Sequence, residues 1–464
     1  MHLHFLGISG TFMSALALLA RASGHVVTGS DTACYPPISD LLTENNISWT
    51  DGYDSTQAAL SADRVIVGNA LKRGMPVVEA ILDARKSYTS GPAWLAQEIL
   101  PRYRVIAVAG THGKTTTTSM LAFILHYAGL QPGFLIGGVS SDFNTSAQLG
   151  TGEWFVIESD EYDSAFFDKR PKFMHYRPEI AILNNLEFDH ADIYPDLAAI
   201  QTQFHYFLRT IPANGLVLSP QHDTALNQVL ERGLWSEHQT ISLHGQSDWR
   251  AEVLDPSGGV FVVWHKGCPV AQVEWDLMGH FNVENGLAAI AASARAGVDP
   301  KLAAAALSVF TPVKRRLEVK LNQYGITVYD DFAHHPTAIM KTTQALHNSA
   351  RHTRIIAVLE FASYTMRSGI HDDVMVNALQ AVDLIYCLSS KTENLEMFSK
   401  KSSVPYVQCG GVTDLLDAMV PKLRAGDAVL IMSNRGFGDI HTNLVKRIHK
   451  RFAQDQIQSS SVDF

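Results

Sequence analysis

The chain has 464 residues, of which 46% are hydrophobic and 18% charged, and its net charge is −9. That length allows about three domains at ~150 residues each, and the composition is that of a globular rather than a disordered protein. The acidic balance and the lack of any basic run argue against a nucleic-acid surface.

Four scattered cysteines, Cys34, Cys268, Cys387 and Cys409, form no CxxC pair. This suits a reducing compartment and offers no zinc site. No stretch qualifies as a membrane helix. The apolar residues 3–20 meet their first basic residue only at Arg21, the reverse of a signal peptide, so a cytoplasmic protein is expected.

Residues 3–31 predict one βαβ unit: a strand at 3–6, the turn Gly7-Ile-Ser-Gly10, a helix at 13–22 ended by Gly24, and a strand at 25–28 followed by Gly29-Ser-Asp31. The order suggests a Rossmann-like nucleotide site with Asp31 on a ribose or base. Ser9 and Phe12 stand where the dinucleotide fingerprint needs glycine, so a βαβ turn without a ligand fits the spacing as well. A strand at 65–67 ends in Gly68-Asn-Ala70, Pro76 opens a helix through Arg85, and residues 90–104 read as the passage to the next domain.

Residues 105–128 hold the strongest signal. A buried strand at 105–108 leads into Gly110-Thr111-His112-Gly113-Lys114-Thr115-Thr116 and then a helix ended by Gly129. Strand, glycine turn and helix form the context of a phosphate-binding loop. Turn and helix N–H groups would face the phosphates. Lys114 would reach the β/γ-phosphates and the Thr115 hydroxyl would ligate Mg²⁺. The two glycines are closer than in the usual G-x-x-x-x-G-K-[ST] loop. An ordinary turn with a surface lysine is the alternative, but a Lys-Thr pair at the mouth of a helix is hard to explain as packing.

Residues 133–143 read as a turn-rich loop. A strand at 154–157 then delivers Glu158-Ser-Asp160-Glu161-Tyr-Asp163. Four acids at a strand end can be a solvated turn, but beside a phosphate loop they suit Mg²⁺, and Glu158, first off the strand, is the expected ligand. A strand at 180–183 delivers Asn184 to Asp192 to the same edge, with His190 as a further ligand. Residues 214–276 read as an insertion of short strands carrying no chemistry. The helix at 278–293 has a polar first turn in which His280, Asn282 and Asn285 read a base edge or cap the helix. Lys314-Arg-Arg316 precedes a strand at 327–329 that leads to Asp330-Asp331, and Pro336 opens a helix. Strands at 355–359, 383–388 and 428–432 complete a third α/β domain.

Together these stretches resemble the signature set of the Mur ligases of bacterial cell-wall synthesis. They are G-T-H-G-K-T-T-T at 110–117, E-S-D-E-Y-D at 158–163, N-N-L-E-F-D-H-A-D at 184–192, G-H-F-N-V-E-N at 279–285, K-R-R at 314–316 and D-D-F-A-H-H-P-T at 330–337. The resemblance implies an α/β protein of three domains. These are a Rossmann-like UDP-binding domain (1–104), a central P-loop ATPase with a mainly parallel sheet (105–313), and a Rossmann-like C-terminal domain that binds the peptide and closes on ATP (314–464). It implies ATP-dependent amide formation, in which the carboxylate of UDP-N-acetylmuramate becomes an acyl phosphate and then meets an amine.

The resemblance also implies roles. Lys114 holds the phosphates, with Gly110, Thr111, His112, Gly113, Thr115 and Thr116 around them. Thr115 and Glu158 hold one Mg²⁺; Glu158 and His190 hold a second. His280, Asn282 and Asn285 lie at the adenine or support it, and Arg316 and Asp331 reach the nucleotide. Ser9, Gly10, Thr11, Asp31 and Asn69 line the UDP site. No carbamylated lysine is assigned. G-I-S-G-T-F-M at 7–13, D-S-A-F-F-D-K-R at 163–170 and S-N-R-G-F-G-D-I-H at 433–441 are similar to the peptidoglycan-recycling branch. The expected acceptor is therefore the L-alanyl murein peptide L-alanyl-γ-D-glutamyl-meso-diaminopimelate, with free L-alanine, the acceptor of the biosynthetic branch, as the alternative. The specificity loop of that branch reads E-P-R-S-N-T-M. Here it reads E-F-A-S-Y-T-M-R at 360–367, which leaves Ser363, Thr365 and Arg367 as the expected peptide contacts. No nucleic-acid or membrane partner is expected, and the chain is expected to be a monomer or weak homodimer.

Overall fold

The computed structural model describes residues 1–54, 56–360, 372–388 and 402–460. Its three large sheets are mostly parallel and alternate with helices, the α/β architecture expected from the strand and helix order. The chain divides into two compact units. One comprises Met1–Leu254, Val260–Trp275 and Asn282–Val313; the other comprises Asp255–Gly259, Asp276–Phe281 and Lys314–Phe464.

The first unit holds two large sheets and one hairpin. One has five parallel strands, His2–Leu6, Val26–Asp31, Ser48–Asp51, Arg64–Val67 and Tyr88–Ser90, in spatial order third, second, first, fourth, fifth. Leu3, Phe5 and Leu6 are all buried because a parallel sheet is covered on both faces. The order reverses between the first and fourth strands, where ligands of open α/β sheets bind. The turns after those strands carry Ser9-Gly10 and Asn69. Residues 90–104 are not a mere passage. Tyr88–Ser90 is the fifth strand, and Gly91–Glu98 is a helix whose cap, the Ser90 hydroxyl, accepts from the Ala93 N–H.

The central sheet has ten strands. Seven run parallel: Trp249–Val253, Glu237–Ser242, Leu216–Pro220, Ile180–Leu183, Arg104–Ala109, Trp154–Ser159 and Gly133–Leu135, in that spatial order. Antiparallel strands finish both edges. Two expectations are corrected here. Residues 214–276 are no insertion, since their strands continue the central sheet. Residues 133–143 are not all loop either. Gly133–Leu135 pairs with the acid-bearing strand, and a Cβ at Gly133 would lie 2.5 Å from the Phe155 ring.

These two sheets share one continuous apolar core. Leu3, Phe5, Leu16 and Leu19 join Ala107, Leu135, Phe155 and Leu183 in it. A hairpin of Asp163–Ala165 and Asp168–Pro171 leaves the central sheet and packs on the first. There Ala165 and Phe166 sit against Leu6, Val65, Val67, Val77 and Ile81, and Phe167 meets Tyr88 edge-on at 4.9 Å.

The second unit is built on a six-stranded sheet. Glu318–Gln323 is antiparallel to Ile326–Asp331, and the strands Asp427–Met432, Arg354–Glu360, Leu384–Leu388 and Tyr406–Cys409 continue it in parallel. Asp427, fully buried, takes two bonds from the Arg354 guanidinium at 2.6 and 2.8 Å. The expected peptide contacts Ser363, Thr365 and Arg367 lie outside the described residues. Among the described residues no helix is long and apolar enough to cross a membrane.

Candidate active site

The phosphate loop joins the central strand Arg104–Ala109 to the helix Lys114–Tyr127. Gly110 and Gly113 have φ of +133° and +81°, open to glycine alone at little cost. Close approach also requires them. A Cβ at Gly110 would lie 2.9 Å from the Asn185 carbonyl oxygen, and one at Gly113 would lie 2.5 Å from Asn285 Oδ1. The neighbouring strand end holds the loop in place. Thr111 N–H donates to the Asn185 carbonyl at 3.2 Å, and His112 N–H donates to Asn185 Oδ1 at 2.8 Å. Asn184 donates to the Thr117 hydroxyl, which in turn donates to Asn285 Oδ1 at 3.1 Å. Asn285 is thus a buried support of the loop. Asn282, in the same helix, is buried too, and His280, the first residue of that helix, is exposed. Thr115 is buried and Thr116 half-buried beside Lys114.

Lys114 Nζ donates to the Gly110 carbonyl at 2.6 Å and to Glu161 Oε2 at 2.8 Å, with Asp160 at 3.7 Å. Burial alone would pull its pKa down. Glu161, Asp160 and Glu158 outweigh that and hold the ammonium above the ordinary lysine value. Glu161 is 2% exposed and also faces His190 Nε2 at 3.3 Å. Its backbone carbonyl accepts from the Tyr194 hydroxyl at 2.6 Å. Burial opposes ionisation of Glu161 and Asp160, yet the surrounding cations keep both carboxyls below their ordinary range. For His190 burial favours the neutral ring, but Glu161, then Asp189 and Asp160, raise the imidazole pKa to about 9.

The resemblance pairs Glu158 with His190 at a metal. The structure instead brings Glu161 to both Lys114 and His190. Glu158 Oε2 accepts from the Gly137 N–H at 2.8 Å, so close that a Cβ at Gly137 would fall 2.2 Å from it. Asp160, Glu161 and His190 present ligand atoms all within 4.8 Å of one another. Ionised carboxylates beside a phosphate loop, with the Thr115 hydroxyl one residue past Lys114, form a hard oxygen donor set that fits Mg²⁺ shared with phosphate oxygens.

In the five-stranded sheet Asp31 ties the first turn together. It accepts from Ser9 N–H at 2.9 Å, Thr32 N–H at 2.7 Å and the Tyr53 hydroxyl at 3.1 Å. Gly10 and Thr11, at the start of the helix Thr11–Ala22, and Asn69 are exposed at the same strand ends. In the second unit Asp331 is buried, and its two oxygens accept from the N–H groups of Ala333 and Leu317, each at 2.8 Å. Burial raises its pKa against the pull of Arg316, whose guanidinium lies 5.0 Å from the Phe332 ring centre.

Comparison with known proteins gives three consecutive matches: the Mur ligase family catalytic domain over residues 2–103, the Mur ligase middle domain over 108–293, and the Mur ligase glutamate ligase domain over 315–435. The UDP-N-acetylmuramate–L-alanyl-γ-D-glutamyl-meso-2,6-diaminoheptandioate ligase of Escherichia coli K12 is 47% identical over 97% of this chain and 99% of its own. The chain belongs to the Mur ligase family. A crystallised murein peptide ligase of Psychrobacter arcticus 273-4 superposes with a TM-score of 0.77 at 44% identity, covering 97% of this chain and 98% of that one. The UDP-N-acetylmuramate–L-alanine ligase of Desulforapulum autotrophicum is 30% identical over 95% of this chain and 96% of its own.

In this Mur ligase the sequence reading missed three contributors: Glu161, Gly137 and Lys172. Glu161 carried a signal, since it is one of the four acids off the strand, but nothing local singled it out. Lys172 Nζ lies 2.5 Å from Asp160 Oδ2, and no spacing rule links it to the acids.

Proposed function

We propose that this Mur ligase joins the tripeptide L-alanyl-γ-D-glutamyl-meso-diaminopimelate to UDP-N-acetylmuramate at the expense of ATP, in peptidoglycan recycling in the cytoplasm. The observation that carries the reading is end-to-end identity of 47% to a curated ligase of that name, against 30% to a ligase named for free L-alanine. Domain limits of 1–104, 105–313 and 314–464 and action as a monomer or weak homodimer are part of the same proposal.

The chemistry needs positioning and charge neutralisation more than a protein nucleophile. The sugar carboxylate attacks the γ-phosphorus of ATP, ADP leaves, and the peptide amine displaces phosphate from the acyl phosphate. Lys114, turned on Glu161 and the Gly110 carbonyl, is the cation available to the β/γ-phosphates once it swings off its acid. The loop N–H groups and the helix N-terminus add fixed positive potential. Thr115, Glu158 and Glu161, with His190 once its ring gives up the proton that pairs it with Glu161, are the side chains that would hold Mg²⁺, which supplies charge neutralisation at the phosphates. Asp31 and the turn around Ser9, Gly10, Thr11 and Asn69 are proposed to receive the uridine nucleotide.

The test is phosphate release from ATP with UDP-N-acetylmuramate and Mg²⁺, comparing free L-alanine with the di-, tri- and tetrapeptides. Turnover with the tripeptide and little with L-alanine is expected. Efficient turnover with L-alanine and none with peptides overturns the recycling assignment.

A further inference from the structure

Lys172 is 10% exposed in its side chain, an unusual place for a lysine. It follows the Asp163–Pro171 hairpin directly, and its own N–H is bonded to the Tyr162 carbonyl at 3.2 Å, so its position is fixed. Its ammonium reaches in two directions. Towards the phosphate loop it holds Asp160 Oδ2 at 2.5 Å, while Asp160 Oδ1 lies 3.7 Å from Lys114 Nζ. Towards the five-stranded sheet it lies 5.8 Å from the ring centre of Phe12, next to Thr11 in the turn proposed for the uridine nucleotide. Tyr162, at 5.6 Å, closes a third side. One carboxylate, that of Asp160, already lies between the two ammonium groups, and its 29% exposure leaves it open to exchange.

We propose that Lys172 is the cation that binds the carboxylate of the sugar acid and aims it at the phosphate held by Lys114. The inference rests on the function proposed above and adds a substrate-orienting residue to it. A carboxylate that must reach the terminal phosphate from the turn near Phe12 passes this ammonium. A charge-assisted bond there fixes the anion without quenching its nucleophilicity, as full protonation would. The bond that forms is from the carboxylate oxygen to the γ-phosphorus, the bond that breaks is to the β-phosphate oxygen, and the electron pair leaves with ADP.

The experiment compares two sugar nucleotides by calorimetry on the full chain: UDP-N-acetylmuramate, which has the carboxylate, and UDP-N-acetylglucosamine, which lacks it. Wild type is expected to prefer the acid. In Lys172→Gln affinity for the acid should fall about ten-fold or more, the worth of one charge-assisted hydrogen bond, with UDP-N-acetylglucosamine unchanged. Lys172→Arg should restore most of the preference, and the Gln variant should show a raised KM for the acid with the KM for ATP unaltered. An unchanged ratio of the two affinities in Lys172→Gln overturns the inference, and so does an equal loss for both ligands, which marks a purely structural residue. Wild type that binds neither nucleotide overturns the proposed function instead.

Discussion

The protonation of His190 has a consequence that can be worked through. In the protein with no nucleotide added, Glu161 at 3.3 Å raises the imidazole pKa to about 9 from an ordinary 6.5. The folded value lies above the unfolded one, so the pairing stabilises fully below pH 6.5 and its contribution disappears as pH rises through about 9. The gap sets an upper bound of about 3 kcal/mol. The His190 side chain keeps 26% of its surface in water, which trims the expected contribution to about 2 kcal/mol. The assay is the titration of histidine ring carbons by NMR, with His190 assigned by its loss in His190→Gln. It is paired with unfolding midpoints of both proteins from pH 6 to 10. The difference in midpoint between wild type and variant should be largest at pH 6 and shrink towards pH 10. A His190 that titrates at or below 6.5, or a difference that stays flat with pH, would refute the reasoning.

Three other outcomes are expected. Lys114→Ala should abolish ligation while calorimetry still detects UDP-N-acetylmuramate, because the two ligands are proposed to bind at different sheets; loss of both would contradict that separation. Gly137→Ala should displace the Glu158 carboxylate, whose oxygen would stand 2.2 Å from the new methyl group. It should lower kcat more than ten-fold at a stability cost of about 1–3 kcal/mol, and a fully active variant would remove Glu158 from the reacting centre. Asp427→Ala should leave the half-buried Arg354 guanidinium with the Lys422 carbonyl, at 2.9 Å, and cost about 1–3 kcal/mol in denaturant unfolding; a change under about 0.5 kcal/mol would show that this carbonyl and water replace the carboxylate.

The parts of this molecule written locally were legible in the sequence. The phosphate loop is contiguous: four buried strand residues, two glycines in the turn and a helix beginning at Lys114. The strand end at Glu158 was equally visible. The choice among the acids was not. Which carboxylate meets Lys114 depends on how the chain leaves the strand, and that is set by a hairpin packed on a different sheet. The pairing of Glu161 with His190, 29 positions later in the chain, has no period to betray it. Residues 237–242, Glu-His-Gln-Thr-Ile-Ser, fall inside the stretch that reads as an insertion of short strands, because a polar run carries no sign of a central sheet. Yet the strand finds its place through backbone bonds to Leu216–Pro220, which no side-chain pattern records. Gly133–Leu135 is three residues long, too short for alternation to register.

The apolar core shared by the first two sheets bears on how this enzyme can be taken apart. Residues 1–104 look in the sequence like a cassette, closed by its own strand order. Cut out alone, that cassette would lose part of the core that Leu16 and Leu19 share with Phe155 and Leu183, and the Phe166 that packs on the core of Val67 and Ile81. The module proposed to bind the nucleotide sugar is therefore larger than its contiguous stretch of chain. A chimaera that borrows the first sheet from a relative must borrow the residue 163–171 hairpin with it, or the graft will meet an ill-fitting seam beside the acids proposed for the chemistry.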